Sequence, residues 1–221
     1  MRTLLLALAL SLAACADAPQ DAPADAASSD ATAESGSVEA PTPGAMAPAF
    51  TLTAADGTSH TLADYRGQTV VLEWLNYDCP YVGKHYSSGT MQALQTDAAE
   101  DEVVWLSVVS SAPGEQGHFE PAQMMDRTAT EGGRQLAVLL DPDGTVGRAY
   151  EAKTTPHMFV IDADGRVVYN GAIDDRPTSD VADLADATAY VPMALSAASR
   201  GRAADPAATQ PYGCSVKYAN S

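Results

Sequence analysis

The sequence predicts an α/β domain, a mixed central sheet flanked by helices, with an N-terminal hairpin extension. Three observations predict it. From about residue 46, strand-length runs alternate with helical segments. Two of those runs are almost wholly apolar and β-branched, as strands covered on both faces should be. The alternation closes on a hairpin and a final helix, which gives a sheet of mixed direction.

Taken in order, "AFTLTAADGTSHTL" (49–62) alternates polar and apolar residues around Asp56-Gly57, a hairpin signal. "TVVLEWL" (69–75) is the first buried strand, interrupted only by Glu73. The residues from Pro80 to about 98 suit a helix, against which Gly83 and Gly89 weigh. "EVVWLSVVS" (102–110) is the second buried strand, "FEPAQMMDRTATEG" (119–132) a helix and "LAVLLD" (136–141) a short strand. "GTVGRAYEA" (144–152) is a short helix or turn. "HMFVID" and "RVVYNG" are strands joined by "ADG", and residues 178 to 200 suit a helix. No internal repeat is present.

The chain opens "MRTLLLALALSLAAC": one arginine, an apolar run too short to span a bilayer, then small residues. This reads as an export signal over 1–15. Its "LAAC" end resembles a bacterial lipobox, which implies cleavage before Cys15 and lipidation of its thiol. The expected location is then the bacterial cell envelope, anchored through Cys15 and facing the periplasm. Residues 16–45 are acidic, rich in alanine and proline, and without basic or aromatic side chains. Such a stretch buries too little apolar surface to offset its ordering entropy and is expected to be a tether. The domain proper is expected over 46–200, followed by a tail over 201–221 that carries Cys214. With 221 residues, 46% of them apolar, there is material for one real core. A net charge of −17 repels phosphate backbones and excludes nucleic acid as a partner.

The chemistry centres on "EWLNYDCPYVGKHY" (73–86). Cys79 follows a buried strand and precedes Pro80, a residue favoured at the first position of a helix. A thiolate there meets free N–H groups and the positive end of the helix dipole. Lowering a thiol pKa by about two units, for about 2.7 kcal/mol, makes the thiolate dominant at neutral pH. Glu73 is the second anomaly. A carboxyl in a covered strand is costly unless paired or protonated, and burial raises its pKa towards the range of a general base. The alternative places it at a solvated sheet edge or beside an arginine. Lys84 and His85 fall off the Cys79 face at roughly 3.6 residues per turn, so both are expected to be solvated. "DPDG" and "DADG" lack the spacing of a calcium loop and read as turns. Ser110, Ser111 and His118 form no credible serine triad.

"VVLEWLNYDCPYV" resembles the strand–turn–helix of thioredoxin-fold proteins, with Cys79 at the first cysteine of C-x-x-C and Val82 at the second. "TTPHMFVIDADGRVVYNG" resembles the segment bearing that fold's cis-proline, here Pro156. The run from Asn76 through Cys79, Lys84 and Tyr86, together with the tail "GCSVKY", resembles a peroxiredoxin-like redoxin group. The resemblance covers roughly residues 46 to 218. It implies a thioredoxin-like fold, no cofactor, protein or small-molecule thiols and disulfides as partners, and thiol–disulfide oxidoreductase activity with Cys79 as nucleophile. Thr155 and Pro156 would be the substrate platform, Glu73 a proton carrier, and Asn76 and Lys84 supporting residues. Peroxiredoxins keep their peroxide-reactive cysteine where this chain has Val82, and a threonine where it has Cys79. Peroxide reduction is therefore the alternative rather than the first expectation.

Cys214 is the candidate resolving partner of Cys79; the alternative is that Cys79 works alone. Two further readings stay open. One is a binding module without catalysis. The other is a copper chaperone using Cys79, His85 and His157, although such proteins use two adjacent cysteines and no metal site is expected here.

Overall fold

The computed structural model describes residues 41–219. Cys15, the leader over 1–15 and the tether up to residue 40 lie outside the described residues. Residues 41–47 run along the sheet edge. Gly44 N donates to Val167 O at 2.7 Å, and Ala47 N donates to Gly165 O at 2.9 Å.

β1 (Thr51–Ala54) and β2 (Ser59–Thr61) form the expected hairpin. Its turn is held by Asp56 Oδ1, which accepts from Thr58 N at 2.9 Å, and by Gly57 at φ +87°. β3 (Val70–Trp74), β4 (Val104–Val109) and β5 (Ala137–Leu140) follow, then β6 (Thr154–Thr155), β7 (His157–Ile161) and β8 (Val167–Gly171). The seven-stranded sheet has the order β2-β1-β5-β4-β3-β7-β8. The pairs β3–β4 and β4–β5 are parallel, the others antiparallel, so the sheet is mixed as predicted.

Every residue of β3, β4 and β7 is buried, which explains their near-continuous apolar sequences. The two faces carry separate cores. Val70, Leu72 and Trp74 point into one. There the Trp74, Tyr150 and Phe159 rings meet at centroid distances of 5.2 to 5.3 Å, edge-on or tilted, each pair adding about 0.5–1.5 kcal/mol beyond area burial. Val71 and Leu75 point into the other, beneath α1 (Pro80–Ser87), α2 (Thr90–Glu100) and α5 (Tyr190–Ala198). α3 (Pro121–Glu131) adds Met124 to the same core and opens on a Glu120/Gln123 capping box. α4 (Thr145–Ala149) is capped by Asp141, whose carboxylate accepts from Val146 N and Gly147 N.

Two helical expectations are corrected. The helix expected from Pro80 to about 98 is two helices, because Gly89 takes φ +79° and turns the chain between them. The helix expected over 178–200 is a 3₁₀ segment, Val181–Asp186, followed by α5. Beyond α5 the chain returns to the front of the sheet. There β9 (Cys214–Ser215) pairs antiparallel with β6.

Candidate active site

Cys79 is the residue immediately before α1, with Pro80 at the first helical position. Its loop is shaped by Asn76: Cys79 N donates to Asn76 O at 3.0 Å, and Asp78 N to Asn76 Oδ1 at 2.8 Å. Asn76 Nδ2 reaches Gln116 O at 3.3 Å, tying this loop to the one after β4. Asn76 is thus a buried support of the Cys79 loop.

The sulfur lies against the segment that bears Pro156. The Thr155–Pro156 peptide bond is cis. As a thiol, Cys79 donates to Thr155 O at 3.0 Å. Cys214 arrives from the other side, opposite Thr155 in the β6–β9 register. The side chain of Cys79 is 1% exposed and that of Cys214 is half-buried; neither is in a disulfide.

The two thiols differ in acidity. Burial is the largest influence on Cys79 and opposes its ionisation, but the Cys214 thiol, the Thr155 side chain and the Val82 and Cys214 amides together outweigh it, so its pKa falls below the ordinary value. The Thr155 hydroxyl has no other hydrogen-bond partner and is free to serve the thiolate. Burial, the hydrogen bond to Cys79 and the Cys79 charge push Cys214 up to about 12. Of the two thiols, Cys79 is therefore the one that ionises first.

Glu73 lies in a central strand, fully buried, with no arginine beside it, so neither the sheet-edge nor the arginine alternative holds. Trp105 Nε1 donates to it at 3.0 Å and Ser107 Oγ at 2.8 Å, with longer contacts from Tyr86 Oη and Gln95 Nε2. Burial raises its pKa from the usual 4.5 to about 7; those four hydrogen bonds pull the other way. None of these hydrogen bonds joins Glu73 to Cys79.

A raised pKa means that the folded state binds the proton more tightly. The stabilisation is complete below about pH 4.5 and is lost as pH rises through about 7, about 3 kcal/mol in all. Glu73→Gln is accordingly expected to gain stability on wild type as pH rises from 5 to 8, by up to about 3 kcal/mol. Urea melts across that range check it; a pH-independent difference would sink it.

Lys84 and His85 are corrections. Both were expected to be solvated and both are 1% exposed. Their helical phase away from Cys79 is right, but residues 174–176 and the tail cover that flank. Lys84 Nζ donates to Arg176 O at 2.9 Å and to Tyr212 Oη at 3.3 Å, and lies 3.6 Å from Asp174 Oδ2. Tyr212 Oη donates to Asp174 Oδ1 at 2.5 Å. Burial lowers His85 to about 4, with Asp174 opposing and Lys84 assisting, so it is neutral near pH 7. Asp174 and Tyr212 were not singled out from the sequence. A lysine inside a helix signals no buried partner nearly a hundred residues away.

The groups considered for copper are dispersed. His85 faces Asp174, while buried His157 bonds Asn170 Oδ1 at 2.7 Å and accepts from Lys153 N. Among the described residues no three His, Cys, Asp or Glu side chains converge as a metal site. Ser110 is bonded to Asp141 and Trp74, which makes it part of the core.

Comparison with known proteins places this geometry in context. The Redoxin family model matches residues 42–188, more than half of the chain. Cys79 and Pro156 fall inside the match, and Cys214 beyond it. A candidate peroxiredoxin of Mycobacterium tuberculosis is 31% identical over 144 residues, covering 58% of this chain and 82% of the relative. The thiol-disulfide oxidoreductase ResA of Geobacillus kaustophilus is 28% identical over 131 residues, covering 56% and 66%. Among solved structures, an uncharacterised conserved protein of Geobacillus kaustophilus aligns with a TM-score of 0.66 at 26% identity, covering 81% of this chain and 93% of its own. A hypothetical protein of Sinorhizobium meliloti aligns with a TM-score of 0.68 at 23% identity, covering 83% and 98%, and shares the fold. With a thioredoxin-like sheet, a cysteine at the head of α1 facing a cis-proline segment, and this family match, the chain belongs to the Redoxin family.

Proposed function

We propose that this redoxin is a thiol–disulfide oxidoreductase in which Cys79 is the nucleophile and Cys214 the resolving thiol. The observation that carries the reading is the contact between two thiols of opposite acidity. The Cys79 thiolate attacks one sulfur of a substrate disulfide. A Cys79–substrate disulfide forms, the original S–S bond breaks, and the departing thiolate takes the electron pair and is protonated. Cys214, losing its proton to that leaving group or to solvent, then attacks the Cys79 sulfur and releases the second substrate thiol. The substrate is reduced by two electrons and the Cys79–Cys214 dithiol is oxidised to a disulfide; an external thiol reductant restores it.

Thr155 offers its hydroxyl to the Cys79 thiolate, its carbonyl accepts from the protonated thiol, and Pro156 lies in the turn beside it. Asn76 holds the loop and Lys84 the flank of α1. For Glu73, the proposed part is a proton reservoir titrating near neutrality, acting on Cys79 through its charge rather than by contact. The chain is proposed to act in the bacterial envelope, lipid-anchored at Cys15 and facing the periplasm, with the segment over 16–45 as tether. The leader pattern and the acidic, aromatic-free linker support this.

A second reading is favoured by the mycobacterial relative: a small hydroperoxide as oxidant. The Cys79 thiolate takes the terminal oxygen to become a sulfenic acid and an alcohol leaves; Cys214 then condenses with the sulfenic acid, releasing water.

Alkylation tests the thiolate. In reduced protein, the rate at Cys79 is expected to reach half its maximum below about pH 8.5, the midpoint of a free thiol. Oxidation should yield a Cys79–Cys214 peptide on non-reducing mapping. A midpoint at or above that of free cysteine, with no such peptide, rejects both readings.

A further inference from the structure

Among the described residues, β6 pairs with no strand of the main sheet and has the tail as its strand partner. The register sets Thr155 against Cys214 and Thr154 against Ser215, and Val216 N extends the pairing to Lys153 O at 3.1 Å. The tail thus lies as an added strand on the edge of β6 beside Cys79, which is where an extended polypeptide would dock by strand addition. Five contacts hold it there besides the strand pairing. Tyr212 is bonded to Asp174 and Lys84, and its ring lies 5.9 Å from that of Tyr81. Ala112 N donates to Lys217 O at 2.8 Å, and Tyr218 Oη donates to Ala152 O at 2.9 Å. Gly213, at φ +133°, crosses so close to the Thr155 carbonyl that a Cβ there would overlap its oxygen.

We infer that residues 211–219 are an internal strand occupying the polypeptide-binding edge of β6, so that the closed protein takes a small disulfide and reacts with a polypeptide disulfide only after the tail has come away. This rests on the reading of Cys79 as nucleophile. The closed geometry leaves the half-buried Cys214 sulfur as the entrance. A compact molecule can approach beside it, whereas an extended chain needs the backbone groups of Thr154 and Thr155 that Cys214 and Ser215 already use.

The test compares single-turnover rates of the reduced full chain with dithiodipyridine and with insulin, each divided by the rate of free dithiothreitol. Wild type is expected to discriminate against insulin by at least about tenfold beyond dithiothreitol, because reaction must await local opening. Gly213→Ala dislodges the tail and retains every thiol. It is expected to cut that discrimination at least about threefold, with Tyr212→Phe moving it in the same direction by less. Circular dichroism verifies that the variants fold; should Gly213→Ala not, Tyr212→Phe and the wild-type ratio still decide. Discrimination equal to that of dithiothreitol in wild type, or unmoved by a folded tail variant, overturns the internal-strand inference and leaves the redox reading intact. Wild type that reduces neither probe faster than free cysteine overturns the redox reading itself.

Discussion

Cys79→Ser is expected to lower the rate of disulfide reduction by about 10⁴ or more, since a serine hydroxyl has no accessible anion near neutral pH and no other described thiol is acidic. Cys214→Ser should separate the two steps. Attack by Cys79 survives, but the mixed disulfide is no longer resolved and accumulates as one equivalent of trapped substrate. A second effect follows from acidity. The Cys214 thiol hydrogen bond helps lower the Cys79 pKa, so its loss moves the alkylation midpoint of Cys79 upward unless the serine hydroxyl replaces it. Cys214→Ala, which offers no donor, should therefore shift the midpoint further than Cys214→Ser. Intact mass after a single turnover reads the trapped adduct, and pH-resolved alkylation reads the shift. Full turnover by Cys79→Ser, or an adduct found on Cys214 in wild type, would reverse the assignment of nucleophile and resolver.

The placement of these proposed residues was half legible in the sequence, and the halves divide on locality. Cys79 before Pro80, after a wholly apolar strand, is a local pattern, and the fold places it as that pattern says. The hairpins around Asp56-Gly57 and over 163–165 are equally local, and both form. The break at Gly89 was signalled by the glycine itself, but good helix formers resume from Met91 and carry the pattern past it. Non-local packing is what periodicity cannot see. Helical phase put Lys84 and His85 away from Cys79, yet whether that flank meets water depends on a tail and a loop far along the chain. Glu73 shows an intermediate case. Its burial followed from the strand around it, and so did its raised pKa. Its partners Trp105 and Ser107 come from the neighbouring strand in the β3–β4 register, which no single-strand pattern supplies.

The buried flank carries the second large effect. Asp174→Ala is expected to destabilise the protein by about 3–5 kcal/mol, because it leaves the Lys84 ammonium without its counter-charge inside the fold. For a domain of this size that is a fall in melting temperature on the order of 10 °C. His85 cannot take over as counter-charge, since an imidazole is neutral or positive, never an anion. The Arg176 carbonyl and Tyr212 hydroxyl, which Lys84 also reaches, are dipoles rather than charges. The same substitution removes the acceptor of the Tyr212 hydroxyl, so the tail loses its latch and disulfide closure between Cys79 and Cys214 should slow. The cost belongs to the unpaired charge more than to the pair, which gives a check. Lys84→Met combined with Asp174→Leu should recover most of the melting temperature, since a well-packed apolar pair often matches a buried ion pair. It should not recover the closure rate, because Tyr212 still lacks its acceptor. Recovery of both together would mean that the tail is held by the β6–β9 pairing and its remaining contacts, with the Tyr212–Asp174 latch idle.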